Sequence, residues 1–428
     1  MAVNFSIIGG GSIFSPEIAD LIAQNIDIFG RVNIKFMDID EERQKIVGGL
    51  CERIVKKSKA DIHIQYVPTY EEAIDGCDYL LLQFRIGGED QRIQDELLGR
   101  KYRIPFVETV SVCGVSTFLR SYYEIEKIAE IVKAKAPSAW VLNFANPAEL
   151  IAEALYRCGV KNVIGVCNAS TRLLQFLRVK MQFEETDNFY MNWRGLNHLA
   201  VVDSFLLNGE EILPQILDRL EDYESDRTPF PSRLCRQLGY LPNQYFQYYY
   251  LERDIIEKEQ KELKVRSQIV KDINAQLLAE YEGIDYVPEG LTKRGGSGYS
   301  KTVIDTIISL HKGDNRIHYL VTQNKGAVTE LPYDGFVEVP CVVNKNRVLP
   351  VAVEKLPEAA APLIFTMKAF EKMLLSAVSE RNKLKLYQSL MIHPLINCDS
   401  IAGPLLEDIL EENKEYIPES FYKSELKK

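Results

Sequence analysis

The stretch Val3-Asn-Phe-Ser-Ile-Ile-Gly9-Gly10-Gly11-Ser12-Ile13-Phe14-Ser15-Pro16-Glu17 decides how the chain is read. Val3 to Ile8 form a short apolar run that predicts a strand, and the run ends directly on three glycines. Pro16 behind Ser15 as the cap predicts a helix start, because proline in the first turn gives up no needed hydrogen bond. Strand, glycine turn and helix N-terminus together make an anion site, since free backbone N–H groups and the helix dipole point at a pyrophosphate. Gly9 and Gly11 match the first two glycines of a G-x-G-x-x-G fingerprint, and Phe14 stands where the third would be. Asn33 to Met37 reads as a second strand with Asp38 at its end. A carboxylate there accepts both ribose hydroxyls and repels a 2′-phosphate, which points to NAD over NADP; the alternative is an ordinary cap for the helix that follows. Gly9, Gly10, Gly11, Ser12, Ile13 and Asp38 are the candidate cofactor-binding set.

Outward from there, Ile46, Val47, Leu50, Cys51 and Ile54 recur at helical spacing over Glu41 to Lys57. Ile62 to Val67 and Asp78 to Phe84 predict a third and a fourth strand around a short acidic helix at Tyr70 to Asp75. Ala139 to Phe144 and Val163 to Val166 predict a fifth and a sixth, after a helix marked by Ile125, Ile128, Ala129 and Val132. Strands alternating with helices predict an α/β fold, a doubly wound, Rossmann-like parallel sheet. Such sheets bind ligands beyond the carboxyl ends of their strands. Arg85, Arg92, Asn146 and Cys167 all fall at that edge. The two arginines flank Gly87-Gly88 and would grip an anion bidentately, or else be solvated at a helix start.

Cys167 ends an apolar strand, and His198 follows the turn Gly195-Leu-Asn. A thiol and an imidazole so placed form a soft metal-ligand pair that needs further partners, although each alone would pass for a core residue. From Asn192 onwards the pattern changes to aromatics and longer helices. Tyr245-Phe-Gln-Tyr-Tyr-Tyr250 reads first as packing, and Leu251 to Tyr281 as one long charged helix. Lys293-Arg294-Gly-Gly-Ser-Gly298 is a second basic glycine loop. Val337 to Val343 and Val348 to Val351 predict a hairpin, and two helices near Pro357 to Glu380 and Ser400 to Glu415 close the chain. The expected division is residues 1–192 as the NAD-binding domain and residues 193–428 as a mixed α+β domain for substrate, metal and oligomer contacts.

Net charge is −10 with no basic block, which argues against nucleic acid as a partner. The eight cysteines are scattered without a CxxC, as expected of reduced thiols in a cytoplasmic protein. No signal-peptide pattern or membrane-length apolar run is present, so a soluble protein away from the membrane is expected.

Taken in order, Gly9-Gly-Gly-Ser-Ile-Phe-Ser-Pro-Glu17, Met37-Asp-Ile-Asp-Glu-Glu-Arg43, Gln83-Phe-Arg-Ile-Gly-Gly88, Asn143-Phe-Ala-Asn-Pro147, Gly165-Val-Cys-Asn168, Gly195-Leu-Asn-His198, Pro242-Asn-Gln-Tyr-Phe-Gln-Tyr-Tyr249, Lys293-Arg-Gly-Gly296 and Val337-Glu-Val-Pro-Cys-Val342 resemble glycoside hydrolase family 4 over essentially the whole chain. The resemblance is to its 6-phospho-β-glucosidase branch and implies a lactate/malate dehydrogenase-like fold. It also implies a redox-assisted elimination in place of the usual two-carboxylate hydrolysis. NAD oxidises C3 of the sugar, the C2 proton is removed, the aglycone leaves C1, and water addition with hydride return closes the cycle. By the same resemblance Cys167 and His198 hold a divalent metal, typically Mn²⁺, and Tyr245 is the base. Arg92 and Asn146 match substrate-binding positions, while Arg85 and Arg294 are further contacts to a 6-phosphate. Asn168 stands where α-acting members resemble Cys-Asp; an amide donates no proton as an acid, which favours the β-branch.

The chain departs from the family pattern at three places. Val110-Ser-Val-Cys-Gly-Val115 replaces a Gly-Pro-Gly-Gly run after Glu108-Thr109, Glu149 replaces a glycine, and Ala169-Ser170 replaces Val-Pro. Glu149 is expected to be a solvated acid in the first turn of a helix; the alternative is an inward-pointing carboxylate, which would repel a phosphate. The expected partner is a phosphorylated disaccharide or aryl glycoside, and the expected assembly is a homodimer or homotetramer. The alternatives are a family member acting on another sugar, unphosphorylated ones included, a lactate/malate-type dehydrogenase, or a non-catalytic NAD or sugar-phosphate binder.

Overall fold

A computed structural model describes residues 2–184, 186–220, 230–295, 298–345 and 347–422. The apolar run at the amino terminus forms β1 (Val3–Ile8), with only Asn4 short of full burial. It pairs in parallel with β2 (Val32–Met37), and β2 pairs in parallel with β3 (Ile62–Tyr66). On its other side β1 pairs with β4 (Tyr79–Leu82), followed by β5 (Trp140–Asn143) and β6 (Val163–Gly165), all parallel. The order 3-2-1-4-5-6 is that of a dinucleotide-binding sheet. Every residue of β4, β5 and β6 is buried, as a parallel sheet covered by helices on both faces requires.

Beyond β6 the sheet continues in antiparallel fashion. Its remaining strands are β7 (Phe189–Leu196), β8 (Leu199–Leu207), β9 (Glu210–Glu211), β10 (Leu241–Pro242), β11 (Arg316–Gln323), β12 (Phe336–Asn344) and β13 (Arg347–Pro350). The order runs β10-β8-β7-β12-β11-β6, with β13 on β12 and β9 on β8. The register aligns Gly165 with Val321, Val321 with Glu338, and Glu338 with Gly195. One row of residues therefore connects the Cys-bearing strand to the His-bearing hairpin. The boundary expected between residues 192 and 193 falls inside β7. The expected hairpin is β12 and β13.

Three expectations are corrected. Ser15 is the first helical residue of Ser15–Gln24 rather than its cap, and its hydroxyl donates to the Gly10 carbonyl at 2.8 Å. The single helix expected over Leu251 to Tyr281 is two, Glu252–Lys261 and Arg266–Tyr281. It breaks because the Arg100 guanidinium takes the carbonyls of Glu259 and Glu262, while Val265 is extended, buried and capped through Gln268 Oε1 at 3.0 Å. The described chain end carries Ala361–Ser379, Lys383–Ile392, Asp399–Glu412 and the single turn Glu419–Tyr422, two helices more than the two expected. Lys383 is buried and Leu384 exposed there, which blurs the apolar stripe that periodicity detects. Of the loop Lys293–Gly298, residues 296–297 lie outside the described residues. Among the described residues no helix is long and apolar enough to cross a membrane.

Gly9 has φ 88°, and a Cβ there would stand 2.9 Å from backbone atoms of Gln83 and Phe84. Gly9→Ala is therefore expected to lower the unfolding free energy by about 1–3 kcal/mol in equilibrium urea denaturation.

Candidate active site

The glycine turn is held from β2 and β4. Gly9 and Gly10 both donate their N–H to the Met37 carbonyl at 2.9 Å, and Gln83 Nε2 donates to the Gly9 carbonyl at 3.1 Å. Asp38 Oδ2 accepts the Gly11 N–H at 2.7 Å, and its Oδ1 accepts from Asp40 N at 3.0 Å. The helix Glu41–Ser58 is capped by the Asp40 side chain, so the alternative role for Asp38 falls away. A Cβ on Gly10 would meet Phe36, and one on Gly11 would meet the Asp38 carboxylate at 2.9 Å. Ser12 closes the turn onto Gly9, and Ile13 is buried with its carbonyl taken by the Tyr281 hydroxyl at 2.6 Å. The turn packs this closely onto β2 and β4 only because Gly9, Gly10 and Gly11 carry no side chains, the bare backbone that a pyrophosphate site requires.

Gln83 leads directly into a cluster of arginines. Arg85 pairs with Glu108 at 2.5 Å, Arg92 lies 3.4 Å from Glu108, 3.5 Å from Glu89 and 3.3 Å from Glu96, and Arg294 lies 3.3 Å from Glu89. Burial alone would raise the Glu108 carboxyl, but Arg85 and Arg92 with Arg294 behind them hold it far below the usual range. Arg294 is drawn down to about 10 by burial and lies over the Phe14 ring at 5.2 Å. The fold therefore gathers the three arginines singled out in the sequence, and adds three acids that sequence reasoning missed. Glu89 and Glu96 were visible as i, i+3 and i, i+4 partners of Arg92, and Glu108 only as part of the Glu108-Thr109 pair before an altered segment.

Glu108 also reaches the third group. Its charge acts on His198 and Tyr245, which stack face to face with ring centroids 3.6 Å apart. His198 closes the β7–β8 hairpin at φ 68°, and Gly195 before it has no space for a Cβ against Leu199. The Nδ1 of His198 is hydrogen-bonded to the Thr109 hydroxyl, while its buried Nε2 has no partner among the described residues. Burial draws this imidazole down to about 3, so the ring is neutral at ordinary pH. Cys167 lies past the end of β6, where burial and then the Glu338 charge push its thiol up to about 12. The Ala169 N–H and the Asn197 and Tyr299 side chains act in the opposite direction. With the proton on Nδ1, the partnerless Nε2 of the neutral imidazole is a lone-pair donor, and together with a thiol touched by Asn197 of the same hairpin turn it fits a metal ion. Among the described residues no third His, Cys, Asp or Glu joins them. Tyr245 sits on the single turn Gln244–Phe246, capped by Asn243, and burial raises its phenol far above the usual range.

Asn146 is half-buried past the end of β5, and Asn168 is buried as the residue before the helix Ala169–Met181. Glu149 overturns its expectation. It is buried in the helix Ala148–Arg157, accepting the Asn197 N–H at 2.6 Å and Lys368 Nζ at 2.8 Å. Its place in a first helical turn does not expose it, because the hairpin and the helix Ala361–Ser379 cover that turn.

A glycine turn on a 3-2-1-4-5-6 sheet, with an arginine–carboxylate cluster and a Cys and a His at the same edge, defines a dehydrogenase-like α/β class of protein. The fold is shared with malate dehydrogenase of Cryptosporidium parvum (TM-score 0.54, 16% identity, 89% of this chain and 100% of that one). Residues 4–182 match the family model described as family 4 glycosyl hydrolase, and residues 193–396 match that of its C-terminal domain. The chain is 31% identical to the 6-phospho-β-glucosidase of Thermotoga maritima over 97% of its own length and 99% of the relative's. A crystal structure of that enzyme with manganese, NAD⁺ and glucose-6-phosphate superposes with a TM-score of 0.91 at 30% identity, over 97% of this chain and 99% of that one. A maltose-6'-phosphate glucosidase of Clostridium acetobutylicum is 26% identical over 97% of this chain and 99% of the relative. The protein belongs to the family 4 glycosyl hydrolases and is a glycosidase.

An unfolded chain protonates a histidine near pH 6.5. The stability tied to the neutral His198 ring is thus complete above that pH and is lost as pH falls towards 3. Between about pH 6 and pH 4, His198→Asn is expected to flatten the acid fall of unfolding free energy by about 1.4 kcal/mol per pH unit. Urea denaturation at stepped pH measures this, and an unchanged slope would mean that water reaches the ring.

Proposed function

We propose that the chain hydrolyses β-linked 6-phosphoglycosides with NAD and a divalent metal, Mn²⁺ by analogy with the Thermotoga maritima enzyme. The observation that carries this reading is the His198 ring, neutral, stacked on Tyr245, and with one buried nitrogen left over. Gly9 to Ile13 and Asp38 would hold the dinucleotide; Cys167 and His198 would hold the metal. When bound, the two supply reversible oxidation at sugar C3 and polarisation of its oxygen, which acidifies the C2 proton.

The remaining roles belong to this chain's side chains. Tyr245 takes the proton from C2. Its phenol is fully protonated in the buried site, so it becomes a base only when cationic charge stands nearby. Arg85, Arg92 and Arg294 bind the 6-phosphate, which competes with Glu89 and Glu108 for the same N–H groups. Asn146 and Asn168 contact the sugar. Asn168 supplies no acid to the leaving group, and for that reason the β-linked substrate is preferred to the α-linked one. We also assign the chain to the cytoplasm as a homodimer or homotetramer.

With NAD⁺, Mn²⁺ and a thiol reductant present, p-nitrophenyl β-D-glucoside 6-phosphate is expected to turn over. The unphosphorylated glucoside and the α-anomer are expected to react at least about a hundredfold more slowly. Turnover without NAD⁺ or in EDTA would overturn the mechanism, whereas preference for the unphosphorylated sugar would overturn only the substrate. Tyr245→Phe is expected to slow exchange of the C2 proton with D₂O by about 10²–10⁴-fold, followed by NMR of the recovered sugar. Cys167→Ser is expected to weaken Mn²⁺ binding in titration calorimetry.

A further inference from the structure

We propose that Glu149 is a positioning residue that fixes the Asn197–His198 turn, and through it the His198 ring; this rests on the reading of His198 as a metal ligand. The turn closes its hairpin with only two residues, Leu196 being paired to Leu199. His198 lies in the left-handed region, where a residue with a Cβ is strained by about 1 kcal/mol. A turn loaded in this way keeps one geometry only if its polar groups are held.

Two buried carboxylates hold it. Glu149 Oε2 accepts the Asn197 backbone N–H at 2.6 Å, and Glu338 Oε2 accepts from Asn197 Nδ2 at 3.0 Å. The other oxygen of Glu149 takes Lys368 Nζ at 2.8 Å, and Lys368 also meets Glu153 and Glu371 at 3.1 Å. Arg157 bonds Glu153 from the outer side at 2.6 Å. Lys368 and Arg157 thus balance two carboxylates of the three. Burial raises both Glu149 and Glu371 above the ordinary carboxyl range, Glu371 the further because the Glu149 charge adds to its burial. Lys368 and Glu153 would by themselves join the helices Ala148–Arg157 and Ala361–Ser379. What Glu149 adds is a buried bond to the turn's own backbone, which would leave the Asn197 N–H without a partner if it were lost.

Because Glu149 acts through His198, the test reads that ring. The chain has five histidines. With histidine labelled at ¹³Cε1, the His198 signal is assigned by its loss in His198→Asn, and stacking on Tyr245 shifts it upfield. Glu149→Gln keeps an acceptor for the Asn197 N–H and is expected to keep the shift. Glu149→Ala is expected to move the signal towards an unstacked histidine. It should also weaken Mn²⁺ binding about tenfold or more, read from paramagnetic broadening of the same signal. Glu153→Gln cuts the same cluster without touching the turn, and is expected to lower the thermal midpoint while leaving the His198 signal in place. An unmoved signal in Glu149→Ala, or an equal displacement in Glu153→Gln, overturns the proposal. If Mn²⁺ fails to broaden the wild-type signal, the metal reading falls instead, and the chemical shift alone decides the positioning role.

Discussion

The site depends on one close approach in the sheet. Gly165 ends β6 beside Val321 of β11, and a Cβ on Gly165 would stand 2.9 Å from the Val321 Cβ and 3.2 Å from the Ala148 carbonyl. Lacking one, the last parallel strand lies flush against an antiparallel one, and the register carries on through Glu338 to Gly195. Cys167 follows Gly165 by two residues, and Asn197 follows Gly195 by two. Their meeting is therefore set by strand register and by no local feature of either segment.

Burial at that joint sets the charges. The Cys167 thiol is pushed up to about 12 and the His198 imidazole down to about 3, so the pair is neutral in the protein alone. Charging two such groups unpaired would cost several kcal/mol each. A divalent cation changes the balance for the thiol, because its charge takes the place of the proton. The arginine cluster follows a different rule. Arg85, Arg92 and Arg294 are already matched by Glu89, Glu96 and Glu108. An anion entering there exchanges with carboxylates, so what the cluster offers is geometry and donors rather than a large uncompensated charge.

Much of the first half was legible. Strand β1, the glycine turn and the carboxyl-edge positions of Arg85, Asn146 and Cys167 follow from local periodicity and turn chemistry, which act within a few residues. The helix break before Val265 was not, because it needs Arg100, a partner from another helix. Glu149 was misread for the same reason. Its place in a first helical turn suggests a solvated acid, and nothing near it announces Lys368, 219 residues away.

By itself the sequence determined the elements of the nucleotide half, the resemblance to one glycosidase family, and the short list of residues that chemistry could use. Only the tertiary structure decided which of those residues meet and in what state. It left Nε2 of His198 as the free nitrogen and placed Glu108 among the arginines. It also made Asp40, not Asp38, the helix cap and buried Glu149 under the hairpin. The physical reason is range. Propensity and periodicity are read from neighbours along the chain, whereas burial, protonation and hydrogen-bond partnership are set by neighbours in space.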